Sequence, residues 1–424
     1  MSSSELRRVE VLARVKSKEL GLRDAAALLE VSYRHAKRLW RRYGKQGAGG
    51  LKHRSAGKVS NRAKPEKFRN KVLQKVRAKY SGEEGKRFGP TLASEHLAAE
   101  DRLIVDHETL RRWMLREGLW SRTRKRGAHR QRRERREHFG ELVQMDGSFH
   151  DWLEGRGPRG CLMNMVDDAQ GTTLCQLGEQ ETIWAAVNVL ESWINAYGVP
   201  RALYVDWKNV YKRKPTEKEL LRGEVPVTQF GRMCEKLGIQ IIAAGSPQAK
   251  GRVERNHGTH QDRLIKKMRR KKIRTHEEAN RFLKEEYLPE HNRRFAQPAA
   301  AAEDYHRKAP SQAERRRIFR LETERTIGND WVVRYENRFF QLKRQSGHYA
   351  PAKSKVTVCE WQDGSVEIEY RGQALAWKEL GEAPARQAAV VAKPAPLKRR
   401  RPRVPAADHP WREEYKRKRV SRRA

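Results

Sequence analysis

Ser246-Pro247-Gln248-Ala249-Lys250-Gly251-Arg252-Val253-Glu254-Arg255-Asn256-His257 is the stretch on which the reading of this chain turns. A proline-bearing turn gives way to a long helix starting near Ala249, and Glu254 stands about one turn inside it. The helix runs on past Arg263 into Lys266-Lys267-Met268-Arg269-Arg270-Lys271-Lys272, a basic rod. Taken alone, a glutamate one turn into a helix is an ordinary surface acid. The elements upstream give it weight.

Leu142-Val143-Gln144-Met145-Asp146 begins a first strand. Cys161-Leu162-Met163-Asn164-Met165-Val166 is almost continuously apolar, as a central strand is. Thr172 to Leu177 makes a third strand after a turn at Gly171, so the first three form an antiparallel meander. Ile183, Ala186, Val187, Leu190, Trp193 and Ile194 share one helical face. Ala202-Leu203-Tyr204-Val205-Asp206 is a fourth strand. A helix through Phe230, Met233, Cys234 and Leu237 leads to a fifth strand, Ile239 to Ala243. This order is the ribonuclease H-like one, an α/β core with a mixed five-stranded sheet. In it the first and fourth strands are neighbours and the last helix crosses their ends.

Asp146 on the first strand, Asp206 at the end of the fourth and Glu254 on the helix would then converge. Converged carboxylates repel unless cations hold them, and oxygen-only donors select Mg²⁺ or Mn²⁺. Two such ions about 3.5–4 Å apart clamp the attacking and leaving oxygens of an in-line phosphoryl displacement. No Ser-His or tyrosine nucleophile motif competes with that chemistry. Asp151, Asp167 and Asp168 are rival acids, with Asp167 and Asp168 reading as a strand-ending turn. Lys250, four residues before Glu254, either reaches substrate phosphate or pairs with Glu254. His257 on the next turn is a packing residue or a phosphate contact. Arg252, Arg255 and Arg263 are expected on the DNA backbone.

At these residues the chain resembles the catalytic core of the retroviral integrases and, more specifically, the integrase-core transposases of bacterial insertion sequences. The Ser246–His257 stretch is similar to the family's third acidic motif, and Gln144-Met145-Asp146 and Leu203-Tyr204-Val205-Asp206 resemble the first two. The likeness covers about residues 140–300. Glu254 follows Asp206 at a longer spacing than the family's usual one, which a polar insertion around Tyr211 to Val225 accommodates. Trp207-Lys208-Asn209 also stands where many relatives have Asn-Gly. The resemblance implies a cut-and-paste DNA recombinase: hydrolytic nicking with two Mg²⁺ or Mn²⁺ ions, then joining of the freed 3′-hydroxyls to target DNA. It implies handling two ends at once, hence a dimer or larger assembly, and no small-molecule substrate. A DNA-binding regulator on an inactive core and a nuclease that cuts without joining are the alternatives.

The rest of the chain fits a nucleic-acid partner. Lys+Arg number 93 against 53 Asp+Glu, a formal net charge of +40, and an excess of that size calls for a polyanion. Amphipathic membrane helices and lipidation signals are missing from the sequence, and its N-terminus lacks an apolar signal region, so a cytoplasmic, nucleoid-associated protein without membrane contact is expected. Cys161, Cys175, Cys234 and Cys359 show neither metal-ligand nor disulfide spacing. Hydrophobic residues are only 37% of the chain, which favours several small domains over one large core.

Those domains read as follows. Residues 1–60 form a helix-turn-helix domain in which Ser32 caps a basic helix carrying Arg34, His35, Lys37, Arg38, Arg41 and Arg42. Residues 61–120 form a second, similar module, with Asp106 capping a helix whose Thr109, Arg111 and Arg112 are DNA-contact candidates. A basic linker (121–140) leads to the catalytic core (141–305). A small C-terminal β-barrel (310–382) and a basic, disordered tail (383–424) follow.

Overall fold

Two units divide the chain, Met1–Ala128 and His129–Ala424. The computed structural model describes residues 1–53, 56–57, 63–83, 85–121, 133–208, 210–211, 213, 215–221, 223, 226–244, 250–344, 350–381 and 409. Most of the expected basic linker, the Ser246–Ala249 turn and nearly all of the expected tail lie outside the described residues.

In the first unit, α1 (Ser3–Lys16), α2 (Leu22–Leu28) and α3 (Tyr33–Gln46) surround Leu12, Leu39 and Leu51. Ala25, Ala26 and Ala36 are almost fully buried, and their small size lets α2 and α3 cross closely. Glu30 has φ 53° and ends α2, with the Val31 N–H returning to Ala26 O. Ser32 then caps α3 through the His35 N–H, as expected. The helices α4 (Glu66–Lys79), α5 (Pro90–Asp101) and α6 (His107–Arg116) enclose a second core of Val72, Val76, Tyr80, Phe88, Leu92, Leu97, Leu110 and Met114. Asp106 accepts from the Glu108 and Thr109 N–H groups at the start of α6.

The second unit is built on β1 (Val143–His150), β2 (Gly160–Asp167), β3 (Thr173–Gly178), β4 (Ala202–Val205) and β5 (Gln240–Ala243), in the order β3-β2-β1-β4-β5. The first three pair antiparallel; β1 with β4 and β4 with β5 pair parallel. That is the expected mixed sheet. Alternation sorts its two faces. Val143, Met145, Met163 and Met165 pack with α7 (Ile183–Tyr197) and with Phe230 and Met233 of α9 (Gln229–Lys236). Leu162, Cys175 and Leu177 pack with α10 (Gly251–Arg270), α11 (His276–Phe282) and the following π-helical turn. Between β4 and α9 lies the short α8 (Glu217–Leu221), and α12 (Leu288–Phe295) and α13 (Gln312–Ile318) complete the helices. All four cysteines are buried and unbridged.

The strands after α13 are β6 (Leu321–Thr326), β7 (Val332–Tyr335), β8 (Arg338–Leu342), β9 (Lys355–Glu360), β10 (Val366–Tyr370), β11 (Gln373–Leu375) and β12 (Trp377–Leu380). They do not confirm the expected β-barrel. They form one sheet of order β11-β10-β9-β6 and a second of order β12-β8-β7. Closure needs the outer strands of the two sheets hydrogen-bonded to each other, and among the described residues no such pairing occurs. The sheets instead share a core of Val333, Phe340, Val358 and Ile368. Among the described residues, no helix is long and apolar enough to cross a membrane.

Candidate active site

Because Val143 and Met145 turn into the α7 side of the sheet, Gln144 and Asp146 turn toward α10. Asp206 lies one residue beyond β4, the parallel neighbour of β1. Between the two carboxylates stands the Lys250 ammonium, 3.1 Å from Asp146 Oδ1 and 2.9 Å from Asp206 Oδ1. Its side chain is 3% exposed. Lys250 is the N-cap residue of α10, so the start of that helix is tied to the middle of β1 and to the end of β4.

More charge surrounds Asp146. His257 Nε2 is 3.6 Å from its Oδ2. Lys208 Nζ is 4.0 Å from its Oδ1 and 2.6 Å from Glu181 Oε2, and the Tyr211 hydroxyl donates to Glu181 Oε1 at 3.0 Å. Burial pushes the Asp146 pKa up, but the nearby His257 imidazole and the charge of Lys250 outweigh it and hold the carboxyl below its ordinary range. Burial likewise works against the Lys208 ammonium, and Glu181 more than restores it. Gly147 makes room for this arrangement, since a Cβ there would come within 2.7 Å of Glu181 Oε2 and 2.9 Å of Cys161 Sγ.

Three acids were expected to converge, and two share a cation. Glu254 is exposed on the first turn of α10, while Val253 and His257 face inward. Among the described residues no three or more His, Cys, Asp or Glu side chains group as ligands for one ion. The Asp146–Asp206 pair nonetheless fits a hard cation: its donors are carboxylate oxygens, and they already converge on a positive charge. Lys250 pairs with these two residues rather than with Glu254. Sequence reasoning missed Glu181, Lys208 and Tyr211. The usable signal was a lysine two residues after Asp206.

A second buried cluster fixes the first turn of α10. Asp168 is fully buried and accepts from Arg133, from Arg252 Nε at 2.7 Å, from the Arg136 N–H at 2.9 Å and from Gln144 Nε2 at 2.9 Å. Gln144 Oε1 in turn accepts the Val253 N–H at 3.1 Å. Burial would raise the Asp168 pKa, but the Arg136 N–H and the Arg252 guanidinium more than offset it. Its neighbour Asp167 keeps the effect of burial and is pushed up to about 6. Gln170 N–H bonds Asp167 Oδ1 and Gly171 N–H bonds its carbonyl, so this acid does close a strand-ending turn.

The residues expected on DNA are differently placed. Arg34, Lys37, Arg38 and Arg41 of α3 are exposed; His35 and Arg42 are half-buried, and Arg42 Nη2 donates to Lys52 O. On α6, Arg112 is exposed, Thr109 is half-buried, and Arg111 makes a bidentate pair with Glu108 at 2.7 and 2.5 Å. Arg255 is exposed, Arg263 lies over the Phe295 ring at 5.0 Å, and Arg252 is held by Asp168.

A helix-turn-helix domain model matches residues 7–58. The protein y4bF of Sinorhizobium fredii, assigned as a transposase, is 35% identical over 380 residues, 89% of this chain and 81% of that one. The transposase for insertion sequence IS1202 of Streptococcus pneumoniae is 32% identical over 282 residues, 66% of this chain and 59% of its own length. Among solved structures, the HTLV-2 integrase catalytic core domain in complex with magnesium is 17% identical, with a TM-score of 0.26 over 34% of this chain and 82% of that one. The chain belongs to the bacterial insertion-sequence transposases.

Proposed function

We propose that this chain cuts and joins DNA by metal-dependent phosphoryl transfer, with Asp146, Asp206 and Glu254 as its acidic residues. The observation that carries the reading is that Asp146 and Asp206, from neighbouring parallel strands, converge on one buried cation. Two Mg²⁺ or Mn²⁺ ions, when bound, would supply charge for the attacking and leaving oxygens. Asp146 and Asp206 would hold them. Glu254, on the exposed first turn of α10, would join from the solvent side. His257 would stay beside Asp146 and help keep it ionised.

Residues 1–120 would read the terminal inverted repeats of the element through the exposed basic face of α3 and through α6. The core of residues 141–305 would nick the ends and pass the freed 3′-hydroxyls to target DNA, in a dimer or larger assembly that holds both ends. The strands of 310–382 and the basic segments on either side of the core would bind backbone or a neighbouring subunit.

An assay with labelled end DNA, a plasmid target and Mg²⁺ tests this. Wild-type protein should nick and join, and Asp146→Asn, Asp206→Asn and Glu254→Gln should each bind ends but do neither. Nicking without joined product would favour a nuclease. End binding with no Mg²⁺-dependent product from wild type would favour a regulator.

A further inference from the structure

Lys250 occupies the position between Asp146 and Asp206 that a divalent ion would need. Its Nζ lies 3.1 and 2.9 Å from one oxygen of each, and the side chain has almost no route to solvent in this arrangement, at 3% exposure. Bringing two carboxylates together is unfavourable without a counter-charge, and here the chain provides that charge itself. Lys208 cannot replace it, because its ammonium is 2.6 Å from Glu181 and only 4.0 Å from Asp146. An ion held by the same oxygens at about 2.0–2.1 Å would have the ammonium as a close like-charged neighbour. The two cations repel each other and compete for the same oxygens.

We propose that Lys250 is a built-in counter-ion that competes with the divalent ion for Asp146 and Asp206 and is released when the ion binds. This rests on the reading of Asp146 and Asp206 as ion-holding carboxylates. Lys250 is at the N-cap of α10, four residues before Glu254. The released ammonium therefore stays beside the site, available to a DNA phosphate, while the first turn of α10 remains held by Asp168 and Gln144. Without metal the lysine offsets one of the two carboxylate charges and closes the site; with metal the same lysine becomes a substrate-facing cation.

The full chain, without DNA, tests this with Mn²⁺ as the probe. Titration by calorimetry or electron paramagnetic resonance should show Lys250→Met binding Mn²⁺ about tenfold or more tightly than wild type, the scale of one close like charge removed. Lys250→Arg, which keeps the charge, should stay near or below wild type. The metal-free melting temperature of Lys250→Met should fall below that of wild type, and saturating Mn²⁺ should narrow the gap. Equal or weaker binding by Lys250→Met, in a protein whose binding depends on Asp146, overturns the counter-ion proposal alone. Wild type and Asp146→Asn binding Mn²⁺ alike would overturn the underlying site reading. Should Lys250→Met not fold, wild type still decides. Amine-directed labelling followed by mass spectrometry should modify Lys250 several-fold faster with saturating Mn²⁺ than without it, and unchanged or slower labelling overturns the proposal.

Discussion

Asp168 accepts a hydrogen bond from Arg252 Nε at 2.7 Å, so the end of β2 grips the residue two before Glu254. The same oxygen accepts from Gln144, whose amide oxygen holds the Val253 N–H. The first turn of α10 is thereby fixed from the strand side at the two residues that precede the candidate catalytic glutamate. Asp168→Ala would leave Arg252, Gln144 and the Arg136 N–H without their common acceptor in a buried place. Its cost should be about 3–5 kcal/mol, the scale of removing one partner of a buried charge pair. Urea denaturation measures it, and a change within experimental error would show that the cluster does not hold the helix.

Glu254 and Asp146 should separate stability from activity. Glu254 is exposed, so Glu254→Ala should change unfolding free energy by no more than about 0.5 kcal/mol while abolishing nicking. Asp146→Ala removes a charged partner from Lys250 and from His257, and should cost about 1.5–3 kcal/mol as well as activity. Equal destabilisation by the two would mean that Glu254 is packed into the site in solution.

How far the sequence disclosed these relationships depended on distance along the chain. The Ser32 and Asp106 caps are three-residue patterns, and both formed where the sequence put them. The five-stranded order was legible because short apolar runs mark the strands, β2 being apolar and buried throughout, and the long segments between them leave few ways to connect them. The two C-terminal sheets were not, since alternation marks a buried face and says nothing about whether β9 takes β6 or β8 as its neighbour. The site was half legible. Asp146 could be placed on the first strand and Asp206 at the end of the fourth. The bond between Lys208 and Glu181, 27 residues apart, and the pairing of Lys250 with acids on two strands are products of tertiary packing.

A pH dependence of stability follows from two buried imidazoles. His260 and His291 lie with ring centroids 4.8 Å apart; His260 Nδ1 meets the Tyr287 hydroxyl at 2.8 Å, and His291 Nε2 meets Asn256 Nδ2 at 3.3 Å. Burial lowers the pKa of His260 well below the ordinary value and that of His291 to about 4. Both are neutral in the folded state at pH 7, while the unfolded chain takes up protons near 6.5. Their contribution is therefore fully present above about 6.5 and is lost as the pH falls toward 4, where the unfolded state binds more protons. His291 alone should account for about 2 kcal/mol between pH 7 and pH 5. Urea midpoints at the two pH values should draw closer together in His291→Gln than in wild type. An unchanged difference would assign the acid sensitivity to other groups.

The basic face of α3 makes the last prediction, and it is quantitative in salt. Arg34, Lys37, Arg38 and Arg41 are exposed, and the capped helix start holds Arg34 and His35 in its first turn. Residues near the start of such a helix meet base edges, and those further along meet phosphates. Arg38→Ala and Arg41→Ala should weaken binding to specific and unrelated duplexes by similar factors. Each should also reduce the slope of log K against log salt by about 1, as the loss of one phosphate contact requires. Arg34→Ala should instead weaken the specific duplex more than the unrelated one, by about 1–3 kcal/mol. Fluorescence anisotropy over a salt series distinguishes the two behaviours. If all three variants lower the slope alike and leave the ratio of specific to unrelated binding unchanged, α3 is a backbone clamp and the sequence is read elsewhere in the chain.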